Sequence, residues 1–181
     1  MITGFVVDIE ADGPIPGKYS MIEIGAVRLK HDLSTAPTFH TTLAPLPGAD
    51  SVDSALAVTG YSHEDTLKFT LTKVGMVAFK NWIGMQTVSG SRPVFFSDNN
   101  GFDYMFTHWY FIHFFGEDPF GHTSRNIADI YRGLKKKFNA NFKKLRKTKH
   151  THNPVDDAMG NAEALLSFIE SEGMKINLEG F

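Results

Sequence analysis

Near the N-terminus an apolar, β-prone run over residues 4–7 (Gly-Phe-Val-Val) continues without a break into Asp8-Ile9-Glu10. A strand repeats every two residues, so these two carboxylates share one face. Strand interiors disfavour acids, and like charges side by side are costly unless a cation lies between them. The chain must therefore fold so that this face either meets solvent at an edge or opens onto a bound cation. With no Cys in the chain, the donors on offer point to a hard ion, Mg²⁺ or Mn²⁺, rather than to structural zinc.

Around that strand the pattern predicts an α/β layered domain. The segment 11–17 is turn chemistry, rich in Gly and Pro. Residues 21–29 and 39–43 read as two further strands, which together with the first predict an antiparallel meander. Helical spacing follows over about 53–86, with Val74, Val77, Ala78 and Trp82 as the apolar positions. Residues 93–97 (Pro-Val-Phe-Phe-Ser) read as a short buried strand. Helices are then expected over 103–115, aromatic on most faces and therefore buried, over 127–137, and from Pro154 onward. That last helix shows Ala158, Ala162, Leu165, Leu166 and Ile169 on one stripe.

The chain has 181 residues and 42% hydrophobic content, which suits one domain with an ample core, residues 1–181 being taken as a single unit. The absence of Cys excludes disulfides, thiolate ligands and a cysteine nucleophile, and fits a reducing compartment. No basic n-region with a long apolar h-region is present, and no run of roughly 18 apolar residues, so neither a signal peptide nor a membrane span is expected. These readings predict a cytoplasmic protein without membrane contact.

Charge is unevenly spread. The segment 135–149 carries Lys135, Lys136, Lys137, Lys143, Lys144, Arg146, Lys147 and Lys149 and no acid, leaving ten basic residues against 20 acidic ones elsewhere. A basic stripe beside a carboxylate cluster suits a phosphate-rich substrate; a solvated Lys-rich face is the competing explanation. Phe138 and Phe142 interleave the charges, to stack bases or to pin the segment to the core.

Three more residues complete the set. Asp103 follows a strand-to-helix junction, where an acid also suits the positive end of the helix dipole. Asp98 lies in the turn itself, a common position for Asp, and ranks below it. Asn153 is placed to cap a helix with Pro154 at its first position. Asp156 and Asp157 then share the first turn, and one of them is expected to serve only the dipole. His152 precedes the cap and is expected at an exposed rim.

Taken together, the segments resemble the three motifs of the DEDDh exonuclease superfamily, which includes the proofreading subunit of bacterial replicative polymerase, ribonuclease T and oligoribonuclease. Asp8 and Glu10 match Asp-x-Glu, Asn99 to Asp103 match Asn-x-x-Phe-Asp, and His152 with Asp157 match the His followed five residues on by Asp. Ile22-Glu23-Ile24-Gly25-Ala26-Val27 is similar to the family's second strand. The resemblance covers roughly residues 4 to 170.

The resemblance implies a ribonuclease H-like three-layer domain, its central mixed sheet combining the meander with parallel strands between helices. It implies removal of nucleotides from the 3′ end of single-stranded RNA or DNA. Asp8, Glu10, Asp103 and Asp157 would hold two Mg²⁺ or Mn²⁺ ions, and His152 would be the general base. Ala11, Asn99 and Phe102 would lie at the substrate, with Lys143, Lys144, Arg146 and Lys147 on its phosphates. Two departures are Ala11-Asp12, where many members have Thr after the Glu, and Pro154 in place of a small residue. A nucleic-acid-binding module without activity and a hydrolase of dinucleotides or other small phosphodiesters stay open as alternatives, and so does a homo-oligomeric state.

Overall fold

The computed structural model describes residues 1–174 and 176. Strands β1 (Ile2–Ala11), β2 (Met21–Arg28), β3 (Thr38–Thr42), β4 (Arg92–Ser97) and β5 (Ser124–Asn126) form one sheet in the order β3-β2-β1-β4-β5. The first three are the expected antiparallel meander, whereas β4 runs parallel to β1 and β5 parallel to β4. Parallel neighbours need a crossover. The first is made by α1 (Asp53–Thr59), α2 (His63–Thr66) and α3 (Thr72–Gln86), and the second by α4 (Asp103–Phe115). Two more helices, α5 (Ile127–Leu134) and α6 (Pro154–Ser171), complete the fold.

Alternation along β1 divides the interior in two. Phe5, Val7 and Ile9 enter a core with Phe79 and Trp82 of α3 and Phe106, Tyr110 and Phe111 of α4. Val6 enters the opposite core, with Ala158, Ala162, Leu165 and Phe168 of α6. The result is helix, sheet, helix in three layers. By the same alternation, Asp8 and Glu10 continue the face of Val6 and look toward α6.

Gly25 brings α6 close. It pairs with Asp8 across the β1–β2 ladder, and a Cβ built on it would stand 2.3 Å from the Pro154 carbonyl carbon. Only a residue without a side chain lets the start of α6 rest on the sheet there.

The expected helix over 53–86 is three helices. Gly60, in the left-handed region at φ 78°, ends α1, and a Ser62/Asp65 capping box starts α2. Of the four apolar positions expected at helical spacing, Trp82 faces inward with Met76, Phe79 and Ile83, while Val74, Val77 and Ala78 are exposed. α3 is apolar on both sides, so spacing alone does not choose a face. Ring packing does, with Phe79 5.1 Å from Phe39 and 5.7 Å from Phe111, and Trp82 5.4 Å from Phe5. On α6 the expected stripe is buried except for Leu166, which is partly exposed.

α5 ends at Leu134, three residues earlier than expected, and the basic segment beyond it is loop with one 3₁₀ turn at Lys143–Leu145. Phe142 is buried in the α6-side core, and Phe138 is almost fully exposed. Of the two aromatics, Phe142 pins the segment to the core.

Candidate active site

Five acidic side chains converge at the carboxyl end of β1. Asp8, Asp98 and Asp103 have ligand oxygens within 4.8 Å of one another, and so do Asp8, Glu10 and Asp157. Asp8 belongs to both groups, which makes it the pivot of the cluster.

Local structure explains each placement. β4 pairs with β1 only as far as Phe96 opposite Val6, so Asp8 and Glu10 lie on the part of β1 beyond that pairing. The Asn99 carbonyl accepts the backbone N–H groups of Phe102 and Asp103, both at 2.9 Å, winding the turn that starts α4. Asp103 is buried in its first turn. At α6 the Asn153 side chain accepts from the Val155 and Asp156 N–H groups, which is the expected cap. Of the two acids beyond it, Asp156 accepts from Thr151 Oγ1 at 3.0 Å, while Asp157 is 2% exposed and turns toward the cluster. Asp156 is thus the one that ties down the loop.

The crowding has an electrostatic signature. Burial, followed by the charges of Asp103, Asp98, Glu10 and Asp157, pushes the Asp8 carboxyl well above its ordinary range. Burial and then Asp98 do the same to Asp103, opposed by hydrogen bonds from Ser97, Ile9 and Asn99. Burial together with Glu23 and Asp157 raises Glu10 to about 7. Asp103 Oδ2 is buried without a hydrogen-bond partner among the described residues. Crowded buried carboxylates that repel one another, one with an oxygen left without a donor, fit a divalent cation of oxygen preference.

His152 is half-exposed at the rim, its Nδ1 3.7 Å from Glu10 Oε1. Its backbone is in the left-handed region at φ 59°, and its N–H donates to Asp157 Oδ2 at 3.1 Å. The expected base is therefore held to the expected ligand through the main chain. Of the expected substrate contacts, Ala11 is buried in the aromatic core and Phe102 packs 5.0 Å from Phe106. Lys143, Lys144 and Lys147 are exposed. Arg146 is 6% exposed, held by Asp98 at 3.2 Å and by Asn161, with Asp157 at 3.9 Å.

Two participants, His150 and Glu23, were not anticipated, and a third, Asp98, does more than its lower rank suggested. Asp98 joins the cluster and also receives Lys143 Nζ at 3.2 Å and Asn161 Nδ2 at 3.1 Å. His150 places Nδ1 2.7 Å from Asp157 Oδ1. Buried Glu23 stands opposite Glu10 across the ladder and accepts from Tyr61 at 3.3 Å, with His40 Nε2 at 3.0 Å.

The exonuclease family model RNase_T matches residues 5–165. Over 129 residues the chain is 37% identical to the 3′-5′ DNA exonuclease Cap18 of Escherichia coli, spanning 71% of this chain and 67% of that protein. The nuclease domain of 3′hExo, a DEDDh family member solved bound to rAMP, superposes with a TM-score of 0.72 at 15% identity, over 93% of this chain and 92% of that one. Cell-death related nuclease 4 gives 0.73 at 14% identity, over 93% and 64%. These structural likenesses show a shared ribonuclease H-like fold. With the acidic cluster in place, the family's use of divalent metal ions and of nucleic acid applies here. The chain belongs to the exonuclease family of the DEDDh superfamily and is a 3′–5′ exonuclease.

Proposed function

We propose that this chain hydrolyses single-stranded DNA from its 3′ end, releasing nucleoside 5′-monophosphates. Asp8, Glu10, Asp103 and Asp157 hold two Mg²⁺ or Mn²⁺ ions, and His152 is the general base. The observation that carries the reading is the pair of overlapping carboxylate groups sharing Asp8, with an orphaned buried oxygen on Asp103. The choice of DNA is supported by the 37% identical relative, a DNA exonuclease.

Ions bound there would neutralise the scissile phosphate and the departing 3′ oxygen and acidify the attacking water. The chain's own groups do the rest. Asp157 fixes the His152 backbone, so the imidazole stays at the rim where water enters. His152 takes one proton from the water as its oxygen bonds to phosphorus and the bond to the 3′ oxygen breaks. Half-exposed, the imidazole returns the proton to solvent. Lys143, Lys144 and Lys147 draw in the phosphates of the strand, with Arg146 behind them bracing Asp98 and Asp157. Asn99 and Phe102, which shape the turn below Asp103, border the terminal nucleotide, whereas the Ala11 side chain is buried in the aromatic core and can offer it only backbone.

Products distinguish the readings. DNA and RNA of one sequence, incubated with Mn²⁺ and followed by chromatography of released nucleotides, are expected to give 5′-monophosphates, faster from DNA. Faster release from RNA would overturn the sugar assignment, and cleavage of dinucleotides alone would favour a small-phosphodiester hydrolase.

A further inference from the structure

We propose that His150, His152 and Asp157 form a second cation site, selective for borderline ions of the zinc class, and that filling it switches the enzyme off. Two imidazole nitrogens and a carboxylate oxygen lie within 4.8 Å of one another here. His150 Nδ1 is 2.7 Å from Asp157 Oδ1, and the two rings are 4.3 Å apart at 65°. Asp157 is buried, while the His150 and His152 side chains are 51% and 44% exposed. A fixed anionic oxygen thus underlies two accessible imidazoles.

The donor set separates this site from the carboxylate groups beside it. Those offer oxygen only, which suits Mg²⁺ and Mn²⁺, whereas imidazole suits zinc, copper and nickel. A tetrahedral zinc with bonds of about 2.0–2.1 Å places its ligand atoms about 3.3 Å apart. The half-exposed rings of His150 and His152 are the parts that must move to reach that spacing. Three protein ligands leave a fourth position for water. Arg146 Nη1, 3.9 Å from Asp157 Oδ1, opposes a cation and limits its affinity.

An ion bound to the His152 imidazole occupies the base, and it competes with the catalytic ions for Asp157. That consequence rests on the roles proposed above for His152 and Asp157; the binding itself does not.

Calorimetric titration of Zn²⁺ into metal-free protein tests the site, with Co²⁺ visible absorption as a readout of coordination. His150→Ala is expected to weaken Zn²⁺ binding at least tenfold and to abolish the intense tetrahedral Co²⁺ bands, while Asp103→Asn leaves both within twofold. His150→Gln serves if the alanine variant loses its circular dichroism. Unchanged binding in the His150 variants, or equal loss in Asp103→Asn, overturns the site. Zn²⁺ binding that depends on His150 but leaves Mg²⁺-driven turnover untouched overturns the switch, and places the fault in the roles assigned to His152 and Asp157.

Discussion

A Cβ at Gly25 would stand 2.5 Å from the backbone nitrogen of Val155, inside any allowed contact. Gly25 is the cross-strand partner of Asp8, and Val155 lies in the first turn of α6, two residues before Asp157. The spacing between these carboxylates is therefore set by the lack of a side chain on the neighbouring strand.

Gly25→Ala should lift the start of α6 and move Asp157 away from Asp8 and Glu10. Overpacking of this kind costs about 1–3 kcal/mol, which the fold should survive. Turnover is expected to fall at least tenfold with circular dichroism unchanged; wild-type turnover would mean that α6 adjusts without disturbing the cluster.

His152→Ala should lower turnover by about 10²–10⁴, the usual contribution of a general base, and leave binding of a 3′ oligonucleotide intact. The histidine contributes its N–H to Asp157 through the main chain, which alanine retains. Single-turnover rates beside equilibrium binding separate the two effects.

Reversal of Lys143, Lys144 and Lys147 to Glu should weaken binding and flatten its salt dependence. Each phosphate contact to a single strand contributes about 0.7 to the slope of log K against log salt, so the slope should fall by about 2. Arg146 is left out because its buried guanidinium holds Asp98. A slope equal to that of wild type would make the basic loop a solvated surface.

Stability of the metal-free protein should fall with rising pH. Glu10 is raised by burial and by Glu23 and Asp157 to about 7, and Asp8 and Asp103 are raised as well. Between the ordinary carboxylate range and about 7 the folded chain holds more protons than the unfolded one, so stability declines as pH increases through that window. Thermal unfolding without metal should show a lower Tm at pH 7.5 than at pH 5, and Mn²⁺ should raise Tm more at pH 7.5. A Tm that climbs with pH in the absence of metal would contradict this.

Much of the site was legible in the chain because it is written in short-range rules. Period two puts Asp8 and Glu10 on one face, and the Asn153-Pro154 cap fixes where α6 begins and hence which acids lie in its first turn. Asp98, His150 and Arg146 were less visible because their roles arise from contacts far apart in the chain, such as Arg146 to Asp98 across 48 residues. One clue was available: Arg146 is the single Arg among seven Lys in its segment, and a planar fork is what bridging several acids requires. The inward face of α3 was hidden because both of its sides are apolar, and β5, at three residues, is too short to show a period.

The cluster around Asp8 is the part of the fold assigned to 3′-end hydrolysis. The most direct test of that assignment is the length ladder from 5′-labelled single-stranded DNA with Mn²⁺, run for wild type and for folded Asp8→Asn. Wild type should shorten the strand progressively from its 3′ end, and the variant should not. A ladder of equal rate from both proteins would contradict the assignment.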